Sequence, residues 1–337
     1  MDISIQRHTK QQRQSTHKLF YGEDIQSFLW RFKGQSVMYQ NVLITGGNGL
    51  VGKHLRETLH HPISPRRHRY DLLNQDDVHD MLQNYKPDVV IHLAARVGGI
   101  LDNMNNPVDY YEQNILMNTN ILKGCHEHGV DRVIAMATSC SYPDVVDDYP
   151  MVEDNFFDGK PPRDNFSYAM SKRAMVSHID AYVKQYGKRW CYLMPCNLYG
   201  EYDKYEEHHS HFISALIKKI YEAKDTIDIW GSGKPLRQFM HAGDLVRVIK
   251  YMIDNDIVDN FNVAPNFNYS IEEMTKIGLK ACGKEDLKII YDRTKPDGQY
   301  RKDIDSSKLL SVLKDFKFTS LEEGIRRVYD NFSKRHD

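Results

Sequence analysis

Residues Asn41–Gly52 read NVLITGGNGLVG, an apolar run that stops at a turn with glycines at Gly46, Gly49 and Gly52. That spacing marks a dinucleotide site. Gly46 permits a tight turn, Gly49 lets the backbone approach a pyrophosphate, and Gly52 lets the next helix sit close to the sheet. The pyrophosphate then meets unpaired N–H groups at the helix N-terminus. Plain loops also collect glycine, and context separates the two cases: here an apolar strand precedes the turn and a helical stretch, Leu50 to Leu59, follows it.

Beyond this turn, strands and helices alternate. Apolar runs at Asn41–Thr45, Val89–Ala95, Arg132–Ala137 and Cys191–Pro195 are separated by helical stretches, among them Asp109–His128 and Ser167–Tyr186. The alternation predicts an α/β fold, a Rossmann-type doubly wound parallel sheet covered on both faces. The NADP-binding Rossmann domain is expected over residues 38–198, with a later strand returning around 240–265. Residues 199–337 should form mainly a smaller C-terminal α/β substrate domain, with a helix near His211–Lys224 and a short strand Ile227–Trp230. Residues 1–37, rich in Gln, His, Arg and Lys and without a sustained period, read as a disordered N-terminal extension.

Composition narrows the function classes. At 337 residues, 41% hydrophobic and 27% charged, the chain suits one large or two modest globular domains. A net charge of −1 gives no global field that would recommend nucleic acid or a membrane surface as partner. No apolar stretch approaches the roughly 18 residues of a membrane span, so a cytoplasmic address is expected. Five scattered cysteines without CxxC spacing argue against a disulfide framework, and the histidines His208, His209 and His211 lack a carboxylate or thiolate at ligand spacing, so no metal is expected.

The chemistry is carried by SYAMSK, where Tyr168 and Lys172 stand at i and i+4 on one helix face. An ammonium near the phenol, with an oxidised nicotinamide close by, should lower the tyrosine's pKa, so that it exchanges a proton with a substrate oxygen as hydride moves at the carbon. Upstream, the strand ending Ala137-Thr138-Ser139-Cys140 offers a hydroxyl to the same oxygen. Where an acidic residue would mark NAD preference, near the end of the second strand, stands Arg66-Arg67-His68-Arg69. Guanidinium groups there would pair with a 2′-phosphate, which favours NADPH.

With HLAARVGG (His92–Gly99), ATSCSYP (Ala137–Pro143), MPCNLYG (Met194–Gly200), WGSGKPLRQFMH (Trp230–His241) and KPDG (Lys295–Gly298), these motifs resemble the extended short-chain dehydrogenase/reductases. Within that superfamily they are most similar to the GDP-L-fucose synthase family, the epimerase-reductases of GDP-4-keto-6-deoxy-D-mannose, over residues 40–330. The resemblance implies Thr138, Tyr168 and Lys172 as a reductase triad, although neighbouring Ser139 could share the role of Thr138. It implies Cys140 and His211 as the pair moving protons at carbons 3 and 5. Those carbons flank a ketone, so their protons are acidic, and Tyr168 and Thr138 can stabilise the enolate oxygen. For NADPH it implies Gly46, Gly49 and Gly52, Arg67, Asp71 and Leu72, and Ala94, with Tyr168 and Lys172 at the nicotinamide and Asn114 supporting the geometry. Asn48 stands where some relatives have a second phosphate-binding arginine. The nucleotide-sugar would meet Asn197, Leu198, Lys219, Trp230, Arg237 and Lys295. The resemblance also implies a homodimer built from the helices at Asp109–His128 and Ser167–Tyr186. Two rivals stay open: another nucleotide-sugar epimerase or dehydratase, of which only the dehydratase is disfavoured because Ser139-Cys140 replaces the carboxylates that elimination needs, and a non-catalytic NADP-binding regulator, against which the intact triad weighs.

Overall fold

A computed structural model describes residues 39–205, 212–295 and 297–336. The expected N-terminal extension, residues 1–37, lies outside them. Strand β1 (Val42–Thr45) leads through the glycine turn into helix α1 (Leu50–Thr58). Helix α2 (Gln75–Tyr85) starts at Asn74, whose side chain accepts from Asp76 N, and is followed by β2 (Val89–His92). Then come α3 (Ile100–Asn105), α4 (Pro107–Glu127), β3 (Arg132–Met136), α5 (Phe166–Tyr186) and β4 (Arg189–Pro195). Proline at the first position of α4 suits a helix start, where its missing N–H is not needed.

Strands β1, β2 and β3 are buried at every residue, as a parallel sheet covered on both faces requires. The sheet order is β1-β2-β3-β4-β9, with β9 (Phe261–Val263) paired parallel to β4. On the other side of β1 the expected second strand shrinks to one parallel bridge, Leu43 to Ile63. Pro62 and Pro65 flank that residue and cannot donate to a ladder, so only Ile63 pairs: its N–H reaches Val42 O and its carbonyl accepts from Ile44 N, both at 2.8 Å. The chain thus leaves β1 to one side and returns on the other, which opens a crevice at the carboxyl ends of the strands.

The remaining elements are β5 (Asn197–Tyr199), α6 (Phe212–Glu222), β6 (Thr226–Trp230), β7 (Leu236–Arg237), β8 (Phe239–His241), α7 (Ala242–Asp254), β10 (Tyr269–Ser270), α8 (Ile271–Ala281), β11 (Lys288–Asp292), α9 (Ser307–Val312) and α10 (Leu321–His336). They supply three two-stranded pairs: β5 with β8, β6 with β11, and β7 with β10. One hydrophobic core lies around the five-stranded sheet, and two smaller clusters gather α6, α8, α10 and β6 around Ile217, Met274, Ile325 and Ile229. Among the described residues, no helix is long and apolar enough to cross a membrane.

Candidate active site

The crevice begins at the glycine turn. Gly46 has φ of +72°, and a Cβ there would stand 2.7 Å from Ala94 N, so the loops after β1 and β2 run side by side only with glycine at this position. A Cβ on Gly52 would meet Gly46 O at 2.5 Å, which is the close approach of α1 to the turn. Gly49 differs: a Cβ there would meet nothing nearer than Gly46 O at 3.4 Å, an ordinary contact. The protein's own packing therefore does not demand this glycine, and it leaves open space at the helix N-terminus, where Gly49 offers no side-chain cap.

A buried relay braces the bed of this site. Ala94 N donates to Thr45 Oγ1 (3.3 Å), Thr45 Oγ1 lies 2.8 Å from His92 Nδ1, and His92 Nε2 lies 2.9 Å from Asn118 Oδ1. Since Asn118 accepts, His92 carries its hydrogen on Nε2 and accepts from Thr45 on Nδ1. Burial, helped by the charge of Lys172, lowers the His92 pKa to about 4, so the ring stays neutral. Asn114 is fully buried in α4 and holds the loop after β2, accepting from Arg96 N (2.9 Å) and donating to Arg96 O and Tyr110 O.

Of the residues expected at the adenosine, Arg67 is 73% exposed and pairs with Asp71 at 3.3 Å, while Asp71 also accepts from Leu73 N. Leu72 is buried in the main core, its carbonyl accepting from Asn120. Asn48 Oδ1 accepts from Arg56 Nη1 at 3.0 Å.

The reactive groups meet where β3 ends. Cys140 N donates to Thr138 Oγ1 (3.2 Å), forming a short turn, and Ser141 Oγ donates to Ala169 O while Arg173 Nε donates to Ser141 O. These bonds fasten the Thr138–Cys140 turn to the start of α5, which carries Tyr168 and Lys172. Lys172 is 2% exposed and donates to Met136 O at 2.8 Å. Burial lowers its pKa to about 8.

One expectation needs correcting. Lys172 does not lower the Tyr168 pKa here: its ammonium stands 6.0 Å from the ring centroid and is committed to Met136 O. Burial instead pushes the phenol up. A phenol that holds its proton is suited to donate it. Tyr110 packs edge-on to Tyr168, centroids 6.3 Å apart, and donates to Asp102 Oδ2 at 2.6 Å.

Sequence reasoning also missed Lys302, whose Nζ donates to Cys140 Sγ at 2.9 Å from 162 residues away. No spacing rule connects two such positions. His211 lies outside the described residues.

The residues expected to meet the nucleotide-sugar lie on α6, β5, β6, β7 and the loop after β11. Trp230, 52% exposed, is flanked by Lys219 Nζ at 5.7 Å and Lys295 Nζ at 5.3 Å from its ring centroid, and Lys219 donates to Asp228 O. Arg237 donates to Leu236 O and approaches Gly298, while Asp297 in the same loop accepts from Ser232 Oγ. Burial pulls the Arg237 pKa down, partly offset by Cys140 and Asp297. Asn197 and Leu198 lie on β5, which pairs with β8. Asn197 donates to Gln238 O, and Leu198 packs against the main core.

Behind the glycine helix is a cluster that the sequence did not suggest. Glu201 Oε2 lies 3.0 Å from His241 Nε2 and 3.3 Å from His54 Nε2, and Glu201 Oε1 lies 3.4 Å from Arg327. Gly243 N donates to His241 Nδ1, which leaves the ring hydrogen on Nε2 for Glu201. Glu201 is thus hydrogen-bonded to β8 and α10 and lies against His54 of α1. Burial would raise the Glu201 pKa, but His241 and His54 outweigh it and hold the carboxyl far below its usual range.

Known proteins give this geometry its context. Residues 42–264 match the NAD dependent epimerase/dehydratase family. A GDP-L-colitose synthase from Yersinia pseudotuberculosis is 35% identical over 303 residues, covering 86% of this chain and 97% of that protein. A GDP-L-fucose synthase from Sinorhizobium fredii is 34% identical over 303 residues, covering 87% and 95%. The crystal structure of a GDP-L-fucose synthetase from Naegleria fowleri bound to NADP superposes with a TM-score of 0.80 at 28% identity, over 90% of this chain and 95% of that one.

Proposed function

The chain belongs to the NAD dependent epimerase/dehydratase family, and from that premise we propose that it is a cytoplasmic NADPH-dependent enzyme converting GDP-4-keto-6-deoxy-D-mannose to GDP-L-fucose. Epimerisation at carbons 3 and 5 precedes reduction at carbon 4. The observation that carries this reading is the position of Cys140: a thiol on the same turn as Thr138, beside half-buried Tyr168, with the Lys302 ammonium 2.9 Å from its sulfur. A hydride-transfer triad alone has no use for a charged partner on a cysteine. Inversion beside a ketone does.

Cys140 removes the proton from carbon 3 or 5, Lys302 stabilises negative charge on the sulfur, and the enolate oxygen is held by the hydroxyls of Tyr168 and Thr138. His211 returns a proton to the opposite face. In the last step Tyr168 donates its proton to the oxygen on carbon 4, while Lys172 holds the nicotinamide ribose. The open space over Gly49 and the uncapped first turn of α1 fit a pyrophosphate, with Gly46, Asn48, Gly52, Arg67, Asp71, Leu72 and Ala94 around the rest of the cofactor. NADPH supplies the hydride when bound. Trp230 between Lys219 and Lys295, with Arg237, suits the diphosphate and base of the nucleotide-sugar, and Asn197 and Leu198 belong to the same site. A homodimer through α4 and α5 is supported by exposed apolar side chains on both, Val108, Tyr111 and Leu116 on one and Phe166 and Val183 on the other.

The likeness to a GDP-L-colitose synthase favours a second reading, in which the same groups act on another GDP-4-keto sugar. Product analysis separates the two. Purified protein with NADPH and GDP-4-keto-6-deoxy-D-mannose should give GDP-L-fucose. In heavy water without NADPH, wild type should wash deuterium into carbons 3 and 5, and Cys140→Ser should largely fail to, because serine is a far poorer base. Unimpaired exchange by Cys140→Ser would make the thiol structural and turn the chain into a plain reductase or a single-centre epimerase.

A further inference from the structure

We propose that Arg56 is a second cation for the 2′-phosphate of the cofactor, held over the glycine turn by Asn48. The inference rests on the NADPH reading above. In a doubly wound sheet with the pyrophosphate at the N-terminus of the first helix, the adenosine ribose lies between the glycine turn and the end of the neighbouring strand, here Ile63–Ser64. The protein packs those two segments together around Arg56. A Cβ on Gly47 would collide with Ser64 Oγ and would stand 3.5 Å from Arg56 Cδ.

Helical side chains lean toward the N-terminus of their helix, so an arginine more than a turn into α1 can reach back to the turn before it. Arg56 does so, and its Nη1 donates to Asn48 Oδ1 at 3.0 Å. Lys53, on the same helix, goes elsewhere and lies over the Tyr202 ring. A neutral amide orients the guanidinium without neutralising it, so the positive charge stays available to an anion. Arg67, by contrast, already pairs with Asp71 at 3.3 Å. Arg56 and Arg67 then approach one phosphate from the two walls of the adenosine site, and the asparagine at position 48 becomes a support for a cation supplied by the helix.

The test is direct titration of the full chain with NADPH and NADH, repeated with 2′,5′-ADP and 5′-AMP, for wild type, Arg56→Ala, Arg56→Lys and Asn48→Ala. Arg56→Ala should weaken NADPH and 2′,5′-ADP roughly tenfold or more, the loss expected for a charge-assisted hydrogen bond, and leave NADH and 5′-AMP within about twofold. Arg56→Lys should recover part of the loss, and Asn48→Ala should show a smaller loss confined to the 2′-phosphorylated ligands. Equal weakening of NADH and NADPH would mean that Arg56 only shapes the turn, and overturns the proposal. A wild-type preference for NADPH that survives Arg56→Ala overturns it while leaving the NADPH reading intact. A wild type that binds both cofactors equally overturns both.

Discussion

Replacing Glu201 by glutamine tests how the glycine helix is held to the C-terminal part of the chain. Glu201, with a side chain 14% exposed, accepts from His241 at 3.0 Å and lies 3.3 Å from His54 on α1. The His54 contact lacks the alignment of a full hydrogen bond, and Arg327, half exposed at 3.4 Å, adds little. One good charge-assisted bond is worth about 1.5–3 kcal/mol, and glutamine keeps a neutral bond worth about 1 kcal/mol. With a part contribution from His54, the expected loss is about 2 kcal/mol, and for a chain of this size that lowers Tm by roughly 3 °C. The pH dependence supplies the sharper test. Because the folded Glu201 pKa is depressed below the ordinary 4.5, its contribution is fully present above about pH 4.5 and is lost as pH falls through the folded value. Thermal melts of wild type and Glu201→Gln from pH 7.5 downward should therefore show a constant gap that narrows only below about pH 4.5. A gap under about 1 °C at pH 7, or one that grows on acidification, would refute the account of the cluster as a charged tie.

Tyr168→Phe should retain NADPH binding and the edge-on packing against Tyr110, yet lose about 10²–10⁴ in the rate of NADPH oxidation; near-normal turnover would remove the phenol from the chemistry. Lys302→Met should slow deuterium exchange at carbons 3 and 5 at least tenfold while changing hydride transfer to a pre-epimerised substrate much less, and equal effects on both would assign the lysine to substrate binding instead. His211→Asn should allow some exchange but impair inversion, read from the configuration of the product sugar. Trp230→Ala should raise the KM for the nucleotide-sugar with little change in the affinity for NADPH, since it removes the surface between Lys219 and Lys295; a matching loss of NADPH affinity would place the indole elsewhere.

What the sequence determined by itself is whatever is encoded locally. The glycine turn, the buried parallel strands and the i,i+4 pair Tyr168 and Lys172 depend on neighbours a few residues away, so spacing and periodicity reveal them. Even the shrunken second strand is legible afterwards, since Pro62 and Pro65 bracket Ile63. What only the tertiary structure decided involves groups brought together from distant segments. Lys302 meets Cys140 across 162 residues, Glu201 gathers His54, His241 and Arg327 from α1, β8 and α10, and Lys219 and Lys295 converge on Trp230. Burial was decided there too: it pushes the Tyr168 phenol up and draws the pKa of Lys172 down to about 8. A residue's charge is written in the sequence, but its desolvation and its partners exist only once the chain has closed around it.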